Sequence, residues 1–281
     1  MPGANAGLVR ALVERGSERA GGRWGDLRLR VISAAVLAPV VLYCIWVGGG
    51  PWVALVVVAA LAMGMEWVEM MGLRSWGWPG MLVPLGTALV GLAAAGGAPG
   101  WTVLGLLAVM AGAAWWFAGR WAAGGIAYIG VAVVALCWLR LGGTGRAFVL
   151  FLMFSVWASD IGAYVVGRVV GGAKLAPSIS PGKTRSGAVG GLVVAAVVGM
   201  GLTVMAGGPE IWLVGIVAGI LAVASQVGDL FESWVKRRSG VKDSGWLIPG
   251  HGGVLDRLDG VLAAAPVGVA LVKILGLEGV S

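Results

Sequence analysis

The chain has 281 residues, of which 59% are hydrophobic and 12% charged, with a mean hydropathy of +0.93 and a formal net charge of +7. Soluble domains carry about a quarter charged residues, so this composition excludes a soluble globular protein and marks an integral membrane protein. Nor does the positive charge point to nucleic acid, because the basic residues flank apolar spans, where anionic lipid head groups are the natural partners.

Residues 1–30 form a basic N-terminal segment. With Leu8, Val9, Leu12 and Val13 on one side and arginines elsewhere, it reads either as a helix lying on the membrane surface or as a basic tail that sets topology. A cleaved signal peptide is not expected, since the basic region is long and the first apolar stretch is followed at once by another. Stretches long enough to cross about 30 Å of hydrocarbon as helices lie at 31–49, 51–71, 80–97, 101–119, 121–139, 147–168, 187–206, 210–227 and 254–276. They predict an all-α polytopic bundle of about nine transmembrane helices, because helices close their own backbone hydrogen bonds and the spans lack the polar alternation of barrel strands. Gly48-Gly49-Gly50-Pro51 and Gly96-Gly97-Ala98-Pro99-Gly100 are short turns that fold neighbouring helices antiparallel.

Seventeen of the twenty lysines and arginines fall on one side of this arrangement, and only Arg140, Arg146 and Lys273 on the other. The positive-inside rule then predicts an N-in, C-out topology in the cell (inner) membrane, with the polar motifs at the cytoplasmic face. Cys44 and Cys137 lie within spans and read as small hydrophobic residues. The many glycines and alanines allow close helix packing, within one chain or in a homodimer.

Ionisable groups divide the membrane region. Residues 31–146 hold only Glu66 and Glu69 as acids, and are expected to shape the bundle or a lipid cleft, whereas 147–281 carry the chemistry. In Ser159-Asp160-Ile161-Gly162-Ala163-Tyr164 an aspartate interrupts an apolar span; it faces either a water-filled cavity or a neighbouring helix that satisfies it. The loop from Lys174 to Gly187 gathers cations, hydroxyls and glycines suited to phosphate. Its Gly182-Lys183-Thr184 is not a Walker A loop, which needs glycine where Pro177 stands. If helix continues to about residue 238, Ser225, Asp229, Glu232 and Lys236 share one stripe. Asp256 and Asp259 share a face at the start of the last span.

Two aspartates on different helices could cage Mg²⁺, which takes few protein oxygens and completes its shell with water and phosphate. The plain alternative for these residues is a set of intrahelical ion pairs such as Glu232 with Lys236. His251, the only histidine, stands in His251-Gly252-Gly253, and a substrate or structural hydrogen bond suits it better than proton abstraction. No cysteine or second histidine stands near to make a zinc site.

The run Ser233-Trp-Val-Lys-Arg-Arg-Ser-Gly-Val-Lys-Asp-Ser-Gly-Trp-Leu-Ile-Pro-Gly-His-Gly-Gly-Val-Leu-Asp-Arg-Leu-Asp259 resembles the signature of the phosphatidate cytidylyltransferase (CDP-diacylglycerol synthase) family. Asp160-Ile161-Gly162-Ala163-Tyr164 and Ser180-Pro181-Gly182-Lys183-Thr184 are similar to two further segments of that family. At 185–186 this chain has Arg-Ser where many members carry Trp-Glu, so no acid stands there.

The resemblance implies a nucleotidyltransferase of phospholipid biosynthesis that joins CTP to phosphatidate, giving CDP-diacylglycerol and diphosphate. It implies a requirement for Mg²⁺, with K⁺ as a candidate second cation, and metal ligation by Asp229 and Asp256. Lys183 joins these two as catalytic. Ser180, Lys183, Thr184, Lys236, Arg237, Lys242, His251, Gly252, Gly253 and Arg257 form the substrate-binding set, and Asp160, Glu232, Asp243 and Asp259 support it. The alternatives are another CTP-using membrane lipid enzyme, such as a lipid kinase or a cytidylyltransferase for a different lipid phosphate, and a transporter. Against the transporter, the halves show no internal repeat and the polar motifs gather at one face rather than at the midplane.

Overall fold

The computed structural model describes residues 22–73, 77–143, 145–248, 250 and 252–276, with side chains described from residue 31 onward. Among these residues there are nine helices: α1 (Gly22–Val47), α2 (Gly49–Met70), α3 (Trp78–Ala95), α4 (Gly100–Ala118), α5 (Arg120–Leu141), α6 (Gly145–Val169), α7 (Arg185–Met205), α8 (Ile211–Arg238) and α9 (Leu255–Ile274). Seven of them, α2 to α8, are long and apolar enough to cross a membrane. In α1 the apolar section is Val31–Val47, and α9 begins with Asp256, Arg257 and Asp259 before its apolar body.

The helices match the apolar stretches of the sequence, with two informative differences. Helix α1 starts at Gly22 rather than near residue 31, because hydropathy marks where a helix enters lipid and not where its backbone hydrogen bonds begin. The expected surface helix with Leu8, Val9, Leu12 and Val13 lies outside the described residues. Helix α8 has 28 residues, hence a length of about 42 Å at 1.5 Å per residue, which exceeds the roughly 30 Å of hydrocarbon. Its last turns therefore carry Asp229 to Arg238 at or beyond the membrane edge.

The second difference is that the Lys174–Gly187 segment is not a plain loop. Strands β1 (Lys174–Ala176) and β2 (Ser180–Thr184) pair antiparallel, with Lys174 opposite Thr184 and Ala176 opposite Ser180. Ile179 N donates to Ala176 O at 3.2 Å across the turn. Pro177, whose ring presets the backbone angle favoured at the second turn position, sits where a phosphate loop would need glycine. Thr184 then caps α7, its Oγ1 accepting from Gly187 N at 3.0 Å. The cap satisfies an otherwise orphaned donor and fixes where Lys183 leaves the sheet.

Packing divides the bundle. A large apolar core joins α1 to α6 with α8 and α9 and centres on buried Trp67, Ile126, Ile129, Leu152 and Leu221. A smaller seam of Ala158, Ala195 and Ala222 joins α6, α7 and α8. Close approach along this seam needs small residues: a Cβ at Gly191 would stand 2.6 Å from Ser159 O. Between α8 and α9 the same role falls to Gly228, where a Cβ would lie 2.5 Å from Asp259 O. Gly228→Ala must push α9 away and take Asp259 with it. The expected result is a loss of about 1–3 kcal/mol, read as a lower melting temperature in detergent, together with reduced activity.

Candidate active site

At one end of the bundle α6, the β-hairpin, α8 and α9 enclose a cavity of about 630 Å³. Its lining includes Asp160, Tyr164 and Arg168 from α6, Lys183 and Thr184 from β2, Gln226 and Asp229 from α8, and Asp256, Arg257 and Asp259 from α9. Four carboxylates thus share one chamber with three cations. Asp160, Asp229 and Asp259 repel one another electrostatically, while Lys183 and Arg257 act favourably on Asp160. Such an arrangement suits a ligand carrying both negative phosphates and a positive metal ion.

The lysines already hold two of the acids. Lys183 forms an ion pair with Asp229, whose other oxygen accepts from Ser233 Oγ at 3.4 Å. Lys236 Nζ donates to Glu232 Oε1 at 3.2 Å and to Asp256 Oδ1 at 2.6 Å. The second oxygen, Asp256 Oδ2, accepts from Ser244 N and Gly253 N, each at 2.9 Å. Helix α8 continues to Arg238 as the stripe required, but the stripe divides its work. Asp229 faces the hairpin, whereas Glu232 and Lys236 form the intrahelical ion pair and extend it to α9.

The structure brings Asp160, Lys183, Thr184, Asp229, Asp256, Arg257 and Asp259 to the cavity. The other expected site residues are placed around it. Lys236 and Glu232 stand behind Asp256. Arg237 Nε donates to Ile179 O at 3.3 Å, tying the hairpin turn to α8. Ser180 begins β2, and Lys242 and Asp243 are exposed on the loop after α8. Gly252 adopts a positive φ of 85° and a Cβ there would come within 2.9 Å of Asp256 Oδ2; Gly253 packs on Ser244 and Glu66. His251 lies outside the described residues.

Three contributors escaped the sequence reading of the site. Gln226 Nε2 donates to Ala188 O at 3.0 Å and Ser159 Oγ at 3.3 Å, locking α6, α7 and α8 together at the cavity wall. Arg168 donates to Tyr164 OH at 2.8 Å, and both line the cavity. Glu66, from the half of the chain expected only to shape the bundle, reaches the loop that follows α8. A carboxylate and an amide inside apolar spans were the available signals, since each is costly in lipid unless it meets partners.

Whether these residues suit Mg²⁺ can be judged from their donor set. Among the described residues no three side chains form a ready metal cage. Mg²⁺ does not ask for one, because it binds through one or two carboxylates and keeps water and substrate phosphates for the rest. Asp229 and Asp256 offer hard oxygen donors on two helices, and repulsion among the surrounding aspartates is a charge excess that a divalent cation would offset. The residues therefore fit the ion.

Comparison with known proteins identifies the family. The model of the cytidylyltransferase family matches residues 28–275. Proteins named phosphatidate cytidylyltransferase from Brucella suis biovar 1 and Brucella melitensis biotype 1 are 41% identical over 250 residues, covering 85% of this chain and 91% of each relative. One of the same name from Staphylococcus saprophyticus is 43% identical over 143 residues, 50% of this chain and 54% of the relative. The match runs through both halves of the bundle and includes every helix that builds the cavity, so the chain belongs to the cytidylyltransferase family.

Proposed function

We propose that the protein transfers the cytidylyl group of CTP to phosphatidate, forming CDP-diacylglycerol in the bilayer and releasing diphosphate. The observation that carries this reading is the cavity itself, in which four aspartates and three cations, five of the seven from the family-like motifs, converge at one end of an apolar bundle. A lipid phosphate oxygen attacks the α-phosphorus of CTP, the bond from that phosphorus to the β-phosphate bridging oxygen breaks, and diphosphate departs with the electron pair. A phosphate monoester has a second pKa of about 6, so phosphatidate is largely dianionic near neutral pH and needs no general base.

The protein's task is electrostatic, as in other phosphoryl transfers. Lys183, Arg168 and Arg257 line the cavity and are its donors to phosphate oxygens. Asp229 and Asp256 would hold Mg²⁺, with Asp160 and Asp259 near enough to balance charge or take K⁺ as a second cation. When bound, the divalent ion neutralises the triphosphate and the departing diphosphate. For Lys183 to reach a nucleotide it must exchange its ion pair with Asp229, which the partly exposed side chains allow. The acyl chains stay in lipid beside the bundle. The cavity then belongs at the cytoplasmic face of the inner membrane, N-terminus in, because Arg168 at the end of α6, Lys174 and Lys183 of the hairpin and Lys236 to Arg238 at the end of α8 gather there. The reading extends to a homodimer through small-residue spans, which crosslinking in native membranes checks.

The test is incubation of the purified protein in lipid-supplemented detergent with phosphatidate, Mg²⁺ and CTP carrying label in the cytidine. Labelled CDP-diacylglycerol and one equivalent of diphosphate are expected, and chelation of Mg²⁺ should stop both. A folded sample that leaves CTP intact, or that moves only its γ-phosphate onto lipid, would overturn the reading.

A further inference from the structure

Glu66 stands in α2, in the N-terminal half, and is 2% exposed, yet its carboxylate takes its hydrogen bonds from the signature loop and its junction with α9. Oε1 accepts from Val254 N at 2.8 Å. Oε2 accepts from Leu255 N at 2.8 Å and from Ser244 Oγ at 3.2 Å. Glu69, three residues later on the same helix, is exposed. Burying a carboxylate is expensive unless its lone pairs are filled, and here one loop fills them.

The partners of Glu66 and those of Asp256 interleave. Asp256 Oδ2 takes the N–H groups of Ser244 and Gly253, while Glu66 takes the hydroxyl of the same Ser244 and the N–H groups of the next two residues, Val254 and Leu255. The two carboxylates therefore staple the same two points of chain, the turn at 244 and the start of α9 at 253–255. At a helix N-terminus both also meet exposed donors and a favourable dipole. The glycines of the loop record the fit. A Cβ at Gly245 would stand 2.8 Å from Glu66 Cγ, and one at Gly253 would stand 2.6 Å from Glu66 Oε2.

We propose that Glu66 is a positioning residue for nucleotidyl transfer: it clamps the turn at 244–245 and the start of α9 at 253–255 onto α2 and thereby sets where Asp256 presents its carboxylate to the cavity. The proposal rests on the reading that Asp256 serves the reaction by holding Mg²⁺. It gives the N-terminal half a direct part in the site, since α2 otherwise contributes nothing to the cavity lining among the described residues. Residues that orient a metal-binding carboxylate typically change metal affinity or activity by about 10–100-fold when altered.

The experiment compares Glu66→Gln with the native protein and with Glu69→Gln, the exposed control on the same helix. Glu66→Gln keeps size but exchanges one acceptor for a donor that faces backbone N–H groups. Two readouts are taken in detergent: amide hydrogen exchange, and the Mg²⁺ concentration that half-saturates CDP-diacylglycerol synthesis. The expected result is faster exchange confined to 241–256, and a half-saturating Mg²⁺ concentration raised about 10–100-fold, with neither change in Glu69→Gln. Ser244→Ala, which removes one partner of Glu66 and leaves the carboxylate, should move both readouts the same way by less, and serves if Glu66→Gln does not fold. Unchanged exchange at 241–256 would overturn the clamp. So would a fall in maximal rate and melting temperature at constant Mg²⁺ half-saturation, which marks a merely structural acid. A native protein that turns over equally well without Mg²⁺ would overturn the metal reading of Asp256 instead, and the clamp would then be decided by exchange.

Discussion

Asp256→Asn should abolish measurable CDP-diacylglycerol synthesis at every practical Mg²⁺ concentration, a loss of at least about 10²-fold. The Asp256 side chain is 6% exposed and makes three contacts at 2.6–2.9 Å. An amide must turn its NH₂ either toward Lys236 or toward the N–H groups of Ser244 and Gly253, so donor meets donor in both orientations. Loss of a buried charged partner costs about 3–5 kcal/mol, and the variant's melting temperature should fall. Asp229→Asn separates the two effects. Its ion pair is less buried than that of Asp256, with side-chain exposures of 27% for Lys183 and 33% for Asp229, so its fold should survive while its activity falls comparably. Near-native turnover by a folded Asp256→Asn or Asp229→Asn protein would remove that residue from the metal site.

Lys183→Ala is the second large effect. Solvent-exposed ion pairs contribute about 0–1 kcal/mol; this pair is partly buried, with Lys183 Nζ itself buried, so the melting temperature should fall modestly. A preorganised cation facing phosphate is worth far more, about 10²–10³-fold in rate, and kcat/KM for CTP should drop on that scale. Unchanged rate and KM would make Lys183 a topology charge only. Lys183→Arg should recover part of the loss in binding, because the charge persists, but not the native rate, since a planar fork cannot reproduce the point charge of an ammonium.

Much of this site was legible because lipid penalises charge. Asp160, Asp229, Asp256 and Asp259 are conspicuous in a chain that is 12% charged, and helical spacing placed Asp229 with Glu232 and Lys236 before any contact was known. What spacing could not show was the direction each side chain takes at the end of its helix. Lys236, expected in the substrate-binding set, turns between Glu232 and Asp256, whereas Arg168, which the resemblance does not place in the site, lines the cavity. Gly252 and Gly253 stand in the substrate-binding set that the resemblance implies; the structure shows Gly253 making room for Ser244 and Glu66.

The sequence by itself determined the class, the positions of the helices and the family, because hydropathy over about 20 residues is a local property and the signature from Ser233 to Asp259 is contiguous. Only the tertiary structure decided how residues far apart in the chain meet. It folded the Lys174–Thr184 segment into a hairpin that delivers Lys183 to Asp229, and it carried Glu66 across 189 positions to the first N–H of α9. The physical reason is that a buried carboxylate specifies only that donors must be found, and helix packing determines which chain segment supplies them.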